Sequence, residues 1–210
     1  MAVVTVARQL GAGGGAVATR VAEALGWRLL DRALVERIAS ELEVAPEQVE
    51  WCDERVESFV ERLGTYLAEG FPELMATPSP PVSPELAARA ARRIVAAAAE
   101  EGPAVVVGHG AQCILQGHPR SLHVLVHAPR ALRVERAGER YRVDAREAEE
   151  RIRRSDADRR RYVREHFGRD WLDPALYGLC VDTGALGTDG AAGLVVAAAR
   201  RMFGVEAGPR

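Results

Sequence analysis

Two stretches of this chain have residue types and spacing suited to chemistry. The first is Gly11-Ala-Gly-Gly-Gly-Ala16, directly after the apolar run Val3 to Ala7 and at the head of a helical pattern. Glycines in such a place leave successive backbone N–H groups open to an anion, so Gly11, Ala12, Gly13, Gly14, Gly15 and Ala16 are candidate phosphate binders. The run satisfies G-x-G-x-x-G/A, and Asp31 lies 20 residues beyond Gly11, as in a dinucleotide fingerprint where the acid holds a ribose hydroxyl. It also fits the frame of a phosphate loop, G-x-x-x-x-G-K-[ST], with the second glycine at Gly13. In that register Arg8 takes the first-glycine place, Gly14 the lysine place and Gly15 the hydroxyl place. The stretch Arg8-Gln-Leu10 between strand and glycines favours the phosphate loop, and Arg8 becomes a candidate cation. A tight turn without a ligand is the purely structural alternative.

The second stretch is Arg133 to Arg169, with 13 arginines against 9 acids. It carries +4 while the rest of the chain carries −6, from a total of −2. One reading is a solvated helix laced with i,i+4 ion pairs such as Glu147 with Arg151. The other is a phosphate clamp, since planar guanidinium groups grip phosphate oxygens bidentately. All 28 basic residues are arginine, so no lysine is available for any site.

Composition narrows the classes. The chain has 210 residues, 48% of them apolar, which suits one domain with a substantial core and an insertion. Near-neutral charge argues against a bulk nucleic-acid binder, and the arginine stretch has little aromatic interleaving for stacking on RNA bases. No apolar run reaches the length of a membrane span, and Met1-Ala-Val-Val-Thr5 has no basic leader region. Cys52, Cys113 and Cys180 are odd in number and far apart, which fits a reducing, cytoplasmic setting. His123 and His127 share one face of a strand but lack further ligands at metal spacing, so packing roles are expected and no protein metal site.

Strands are expected at Val3 to Ala7, Trp27 to Leu30, Ala104 to Val107, Leu122 to His127 and Leu179 to Asp182. Cys180 is read as a small core residue of the last, and Trp51 and Trp171 as packing aromatics. Helices are expected over Ala16 to Leu25, closed by Gly26, over Ala33 to Glu43, over Pro84 to Glu101, and over Asp189 to Phe203 with Asp189 as N-cap. Ala45 to Gly70 reads as further amphipathic helix, and Phe71 to Pro84, with five prolines, as a loop. Alternation of strand and helix gives an α/β fold with a parallel sheet, binding ligands at the carboxyl ends of its strands.

Ala7-Arg-Gln-Leu-Gly-Ala-Gly-Gly14, Leu30-Asp-Arg32, Val107-Gly-His-Gly-Ala111 and Asp170-Trp-Leu-Asp-Pro174 with Tyr177 together resemble the cytidylate kinase-like family, relatives of CMP kinase whose glycine loop typically lacks the lysine. The resemblance runs from Ala2 to Phe203. It implies a P-loop nucleoside-monophosphate kinase fold: a parallel sheet flanked by helices, an acceptor-side helical insertion over 45–84 and an arginine-rich helical lid over 133–169. It implies ATP as donor and a nucleoside monophosphate, CMP or dCMP first, as acceptor. Asp31, Arg32 and Arg37 become acceptor candidates, and Gly108-His109-Gly110 stands where CMP kinase has Gly-Arg-Asp, which makes His109 and Gly110 acceptor candidates too. Arg133 and Arg136 resemble the arginines beside the ATP base. Arg154, Asp158 and Arg161 match the lid pattern Arg-x-x-x-Asp-x-x-Arg, and Asp173 and Tyr177 lie near the lid hinge. With no hydroxyl at Gly15 or Ala16, Mg²⁺ would be held mainly by phosphates and water. Two alternatives stay open: a catalytically weak nucleotide-binding regulator, favoured by the missing lysine and hydroxyl, and an NAD(P)-binding protein.

Overall fold

A computed structural model describes residues 1–43 and 84–204. The insertion over 45–84, apart from Pro84, lies outside the described residues, with Trp51, Cys52 and the proline-rich stretch. Among the described residues no helix is long and apolar enough to cross a membrane.

Five strands, β1 (Val3–Arg8), β2 (Arg28–Leu30), β3 (Ala104–Val107), β4 (Ser121–His127) and β5 (Leu179–Asp182), form one parallel sheet in the order β2-β3-β1-β4-β5. Helices α1 (Gly14–Leu25), α2 (Arg32–Glu41), α3 (Pro84–Glu101), α4 (Ala111–Ile114), α5 (Arg130–Tyr141), α6 (Ala145–Phe167) and α7 (Thr183–Phe203) flank it. β1 and β3 are covered on both faces, which is why they read as unbroken apolar runs. Alternation along β1 sends Val4 and Val6 into a core with α1 and α7, while Val3 faces Leu34, Ile38 and Val95 of α2 and α3. Strand order removes the frame of the dinucleotide reading. A Rossmann sheet sets β2 beside β1, whereas here β3 stands between them and moves Asp31 away from the glycine loop's strand.

Several boundaries shift. α1 starts at Gly14 rather than Ala16, because Gly13 takes the left-handed conformation that ends the loop. Gly26 closes it in the αL conformation, its N–H donating to Ala22 and Glu23 carbonyls. The segment Thr183–Phe203 is two helices divided at Gly187 (φ 65°, ψ 174°): a short turn of helix from Thr183, and the closing helix proper, which starts just beyond Gly187, close to the expected Asp189, and runs to Phe203. Asp182 caps the short turn, accepting from the Gly184 N–H at 2.7 Å, while Asp189 instead pairs with Arg20. Cys180 is exposed rather than in the core, since β5 is an edge strand. Trp171 is buried as expected.

His123 has an interior role. Its Nδ1 lies 2.8 Å from Thr5 Oγ1 and its Nε2 lies 3.2 Å from Ser121 Oγ, across the β1–β4 pairing. Burial holds its pKa below the ordinary histidine value. The unfolded chain therefore takes up this proton first as pH falls, so the contribution is whole above about pH 6.5 and is lost below it. Urea midpoints at pH 7.5 and 5.5 should fall with acid in the wild type and fall less in His123→Gln. Equal pH dependence in both proteins would remove the assignment.

Candidate active site

β1 ends at Arg8, and the chain turns through Gln9 to Gly13 into α1. Gln9 N–H donates to Val126 O (3.0 Å), fixing the loop to the end of β4, and Ala12 N–H donates to Gln9 O (3.1 Å). Gly11 (φ 77°) and Gly13 (φ 75°) are left-handed. A Cβ on Gly11 would stand 2.5 Å from the Arg133 carbonyl oxygen, so that glycine is required by close approach as well as by conformation. The aliphatic stem of Arg8 lies against buried Gly14, so a cationic side chain crosses the place where a lysine is missing. Gly15 and Ala16 form the exposed first turn of α1.

Around this loop stands a buried charged cluster from α5 and α6. Arg133 is only 4% exposed; its Nε donates to Leu10 O (2.7 Å) and its NH2 to Asp156 Oδ2. Asp156 Oδ1 accepts from the Leu10 N–H (3.2 Å) and from Arg159 NH1 (3.4 Å). Arg159, 6% exposed, lies 5.9 Å from the Trp171 ring and lines a small cavity of about 10 Å³ with Gly108, Gly110, Gln112, Tyr162 and Trp171. Arg136, one turn beyond Arg133, donates to Thr183 Oγ1 (2.9 Å). All of this sits at the carboxyl ends of β1, β3 and β4, the edge expected for ligands.

The other expected residues divide. Gly108, His109 and Gly110 are consecutively left-handed at the end of β3, with His109 buried and Gly110 packed on the Phe167 ring. Asp31, half-buried, occupies the N-cap place of α2 without a side-chain cap bond, and Arg32 opens that helix at the end of β2. Arg37 is not brought to this edge. Its guanidinium grips Glu101 (2.8 and 3.1 Å), which also takes Arg28 (3.0 Å), at the amino end of the sheet. These two partners hold the Glu101 pKa down to about 2. Arg154 and Arg161 do share α6, but their side chains are 52% and 62% exposed, pairing with Glu150 (3.2 Å) and Asp158 (2.5 Å). Glu147 pairs with Arg151 (2.7 Å) as expected. Asp173 and Tyr177 anchor the segment after α6: Asp173 caps the 3₁₀ turn Pro174–Leu176, and Tyr177 O–H donates to Trp171 O (2.7 Å).

Asp156, Arg159, Thr183 and Gln112 are the residues that sequence reasoning missed. A usable signal existed for Arg159. Ala148, Ile152, Ser155 and Val163 mark the buried stripe of α6, and Arg159 falls on that stripe while Arg154 and Arg161 fall off it. Asp–Arg spacing alone did not choose, because Asp156–Arg159 and Asp158–Arg161 are both three apart.

A family model for the cytidylate kinase-like family matches residues 3–185. The chain belongs to that family. No curated protein matches it. Among solved structures, an uncharacterized protein from Eubacterium ventriosum is similar at 18% identity, with a TM-score of 0.70 and coverage of 95% of this chain and 98% of that one. Shikimate kinase from Bacteroides thetaiotaomicron is similar at 12% identity and a TM-score of 0.51, covering 97% and 98%. These likenesses establish the P-loop kinase fold, and membership in the cytidylate kinase-like family supports a kinase activity. The described residues do not supply a shell for the Mg²⁺ that such kinases use with ATP. Gly15 and Ala16 carry no hydroxyl, the Asp156 carboxylate is taken by two arginines and an amide, and the described residues hold no cluster of three metal-ligating side chains.

Proposed function

We propose that this cytidylate kinase-like protein transfers the γ-phosphoryl group of ATP to a nucleoside monophosphate, with CMP and dCMP the first acceptors to test. The observation that carries the reading is the glycine loop at the head of α1 with the Arg133–Asp156–Arg159 cluster built against it. An acceptor phosphate oxygen forms the new P–O bond while the bond from the γ-phosphorus to the β–γ bridging oxygen breaks, leaving ADP and a nucleoside diphosphate. Such a transfer asks the protein for alignment and charge neutralisation rather than covalent help.

The donor phosphates lie along Gly11 to Ala16, where the loop's amides and the positive end of α1 meet them. Arg8 and Arg159 supply the cationic charge that a lysine would otherwise bring. Arg136 stands on the donor side, and the acceptor lies towards Asp31, Arg32, His109 and Gly110. Mg²⁺ brought with ATP would be held mainly by phosphate oxygens and water, since Gly15 and Ala16 offer no hydroxyl, and would neutralise charge on the phosphates. Arg154 and Arg161 stand on the outer face of the lid helix, with the Asp158 side chain, 18% exposed, beneath Arg161, and lid closure over the phosphates excludes water.

The test is coupled ADP release with Mg-ATP and a panel of CMP, dCMP, UMP, AMP and GMP. Shikimate belongs in the panel because a shikimate kinase shares the fold. Turnover that depends on one monophosphate is the expected result and names the acceptor. ATP binding with no turnover on any acceptor would sink the reading in favour of a nucleotide-binding regulator, which the absent lysine and hydroxyl also suit.

A further inference from the structure

Two carbonyls of the glycine loop are pinned by side-chain donors, one from α5 and one from the start of α7. Leu10 O receives Arg133 Nε at 2.7 Å, and Ala12 O receives Thr183 Oγ1 at 2.7 Å. Thr183 is 1% exposed, and its oxygen also accepts from Arg136 NH1 at 2.9 Å. A hydroxyl carries a single proton. Once its oxygen takes the arginine's hydrogen, its own is free to go to Ala12 O, and the competing His127 carbonyl is more distant at 3.5 Å.

The consequence follows from peptide geometry. None of the described peptide bonds is cis, and in a planar trans peptide the C=O and the following N–H point in opposite directions. Holding Leu10 O towards Arg133 therefore turns the Gly11 N–H away from α5. Holding Ala12 O towards Thr183 turns the Gly13 N–H away from the start of α7. Gly11 and Gly13 are left-handed residues in which either peptide orientation is accessible without a Cβ penalty, so nothing inside the loop makes that choice.

We infer that Thr183, itself oriented by Arg136, is a positioning residue that keeps the Gly13 amide facing the phosphates, as Arg133 does for the Gly11 amide. The inference rests on the reading of this loop as the phosphate site. It gives Arg133 and Arg136 work on the loop's backbone, separate from any contact with a nucleotide base.

The experiment uses inorganic tripolyphosphate, which has no base, on the full chain labelled with ¹⁵N-glycine. Calorimetry reads affinity, and the Gly11 and Gly13 amide shifts read the site. Thr183→Val should weaken binding about tenfold and abolish the Gly13 response, Thr183→Ser should restore both, and Arg136→Gln should weaken binding several-fold. Should the valine protein not fold, the serine and Arg136→Gln proteins carry the comparison. Unchanged binding in Thr183→Val, or in Arg136→Gln where the valine protein is lost, overturns the inference alone. A Gly13 amide that ignores bound tripolyphosphate does the same. Failure of the wild type to bind tripolyphosphate overturns both the inference and the phosphate reading. Thr183-dependent binding without acceptor turnover overturns only the kinase.

Discussion

Arg159→Ala should lower kcat about 10³-fold, the scale on which a phosphate-neutralising arginine acts in phosphoryl transfer. Arg159 is the arginine of α6 that is buried against the loop edge, between Asp156 and the Trp171 ring and beside Gly108 and Gly110. In so enclosed a place its charge is poorly screened by water, so under the proposed reaction its loss would be felt fully by the transferred phosphoryl group. Arg159→Lys keeps a positive charge but gives up the planar fork, and it should recover only part of the rate. Arg161→Ala, on the outer face, should remain within about threefold of wild type, as expected for an exposed ion pair. Steady-state kinetics with saturating acceptor, alongside melting curves for each variant, make the comparison. A near-normal Arg159→Ala with a disabled Arg161→Ala would mean that α6 rotates in the working state and that Arg154, Asp158 and Arg161 form the clamp.

Gly11→Ala should abolish measurable ATP binding and lower the melting temperature by at least about 4 °C. A non-glycine residue in the left-handed region costs about 1–2 kcal/mol. The added methyl would also meet the Arg133 carbonyl oxygen at 2.5 Å, a backbone atom held by α5. Relief requires the loop and α5 to separate, which breaks the Arg133 contact to Leu10. About 2 kcal/mol in a domain of this size corresponds to the stated shift in melting temperature. Gly193→Ala is the matched control, because a Cβ there meets nothing within 4 Å and the residue lies outside the loop. A Gly11→Ala protein that melts normally and binds ATP would show that the loop rests elsewhere in solution.

Much of the fold was legible because its strands are short apolar runs between helical periods. Ala104–Val107, Leu179–Asp182 and Pro84–Glu101 stand where periodicity put them. The glycine loop was legible from spacing as the turn that joins β1 to α1. What escaped depends on the third dimension. The closing helix starts near Asp189 as expected, but Asp189 pairs with Arg20, and the cap seen here is Asp182, on a short helical turn before Gly187 that periodicity gave no sign of. Arg37 follows the acceptor-like Leu29-Leu-Asp31, yet five residues of helix beyond Arg32 are enough to turn it towards Glu101 at the far end of the sheet. Thr183 offers no motif, since its role comes from the packing of Ala12 and Arg136 around one hydroxyl.

The helix α6 touches two places at once. Asp156, near its middle, holds the Leu10 amide, and Phe167, at its end, packs on Gly110 while the Phe167 ring and the His166 carbonyl receive Arg92 of α3. The two points are eleven residues apart, about 16 Å along a stiff rod. A tilt of that rod is therefore one motion shared by both places. Any tightening that one occupant produces by drawing the rod inward is repaid by the other in equal measure, because linkage between two ligands of one body has a single coupling constant.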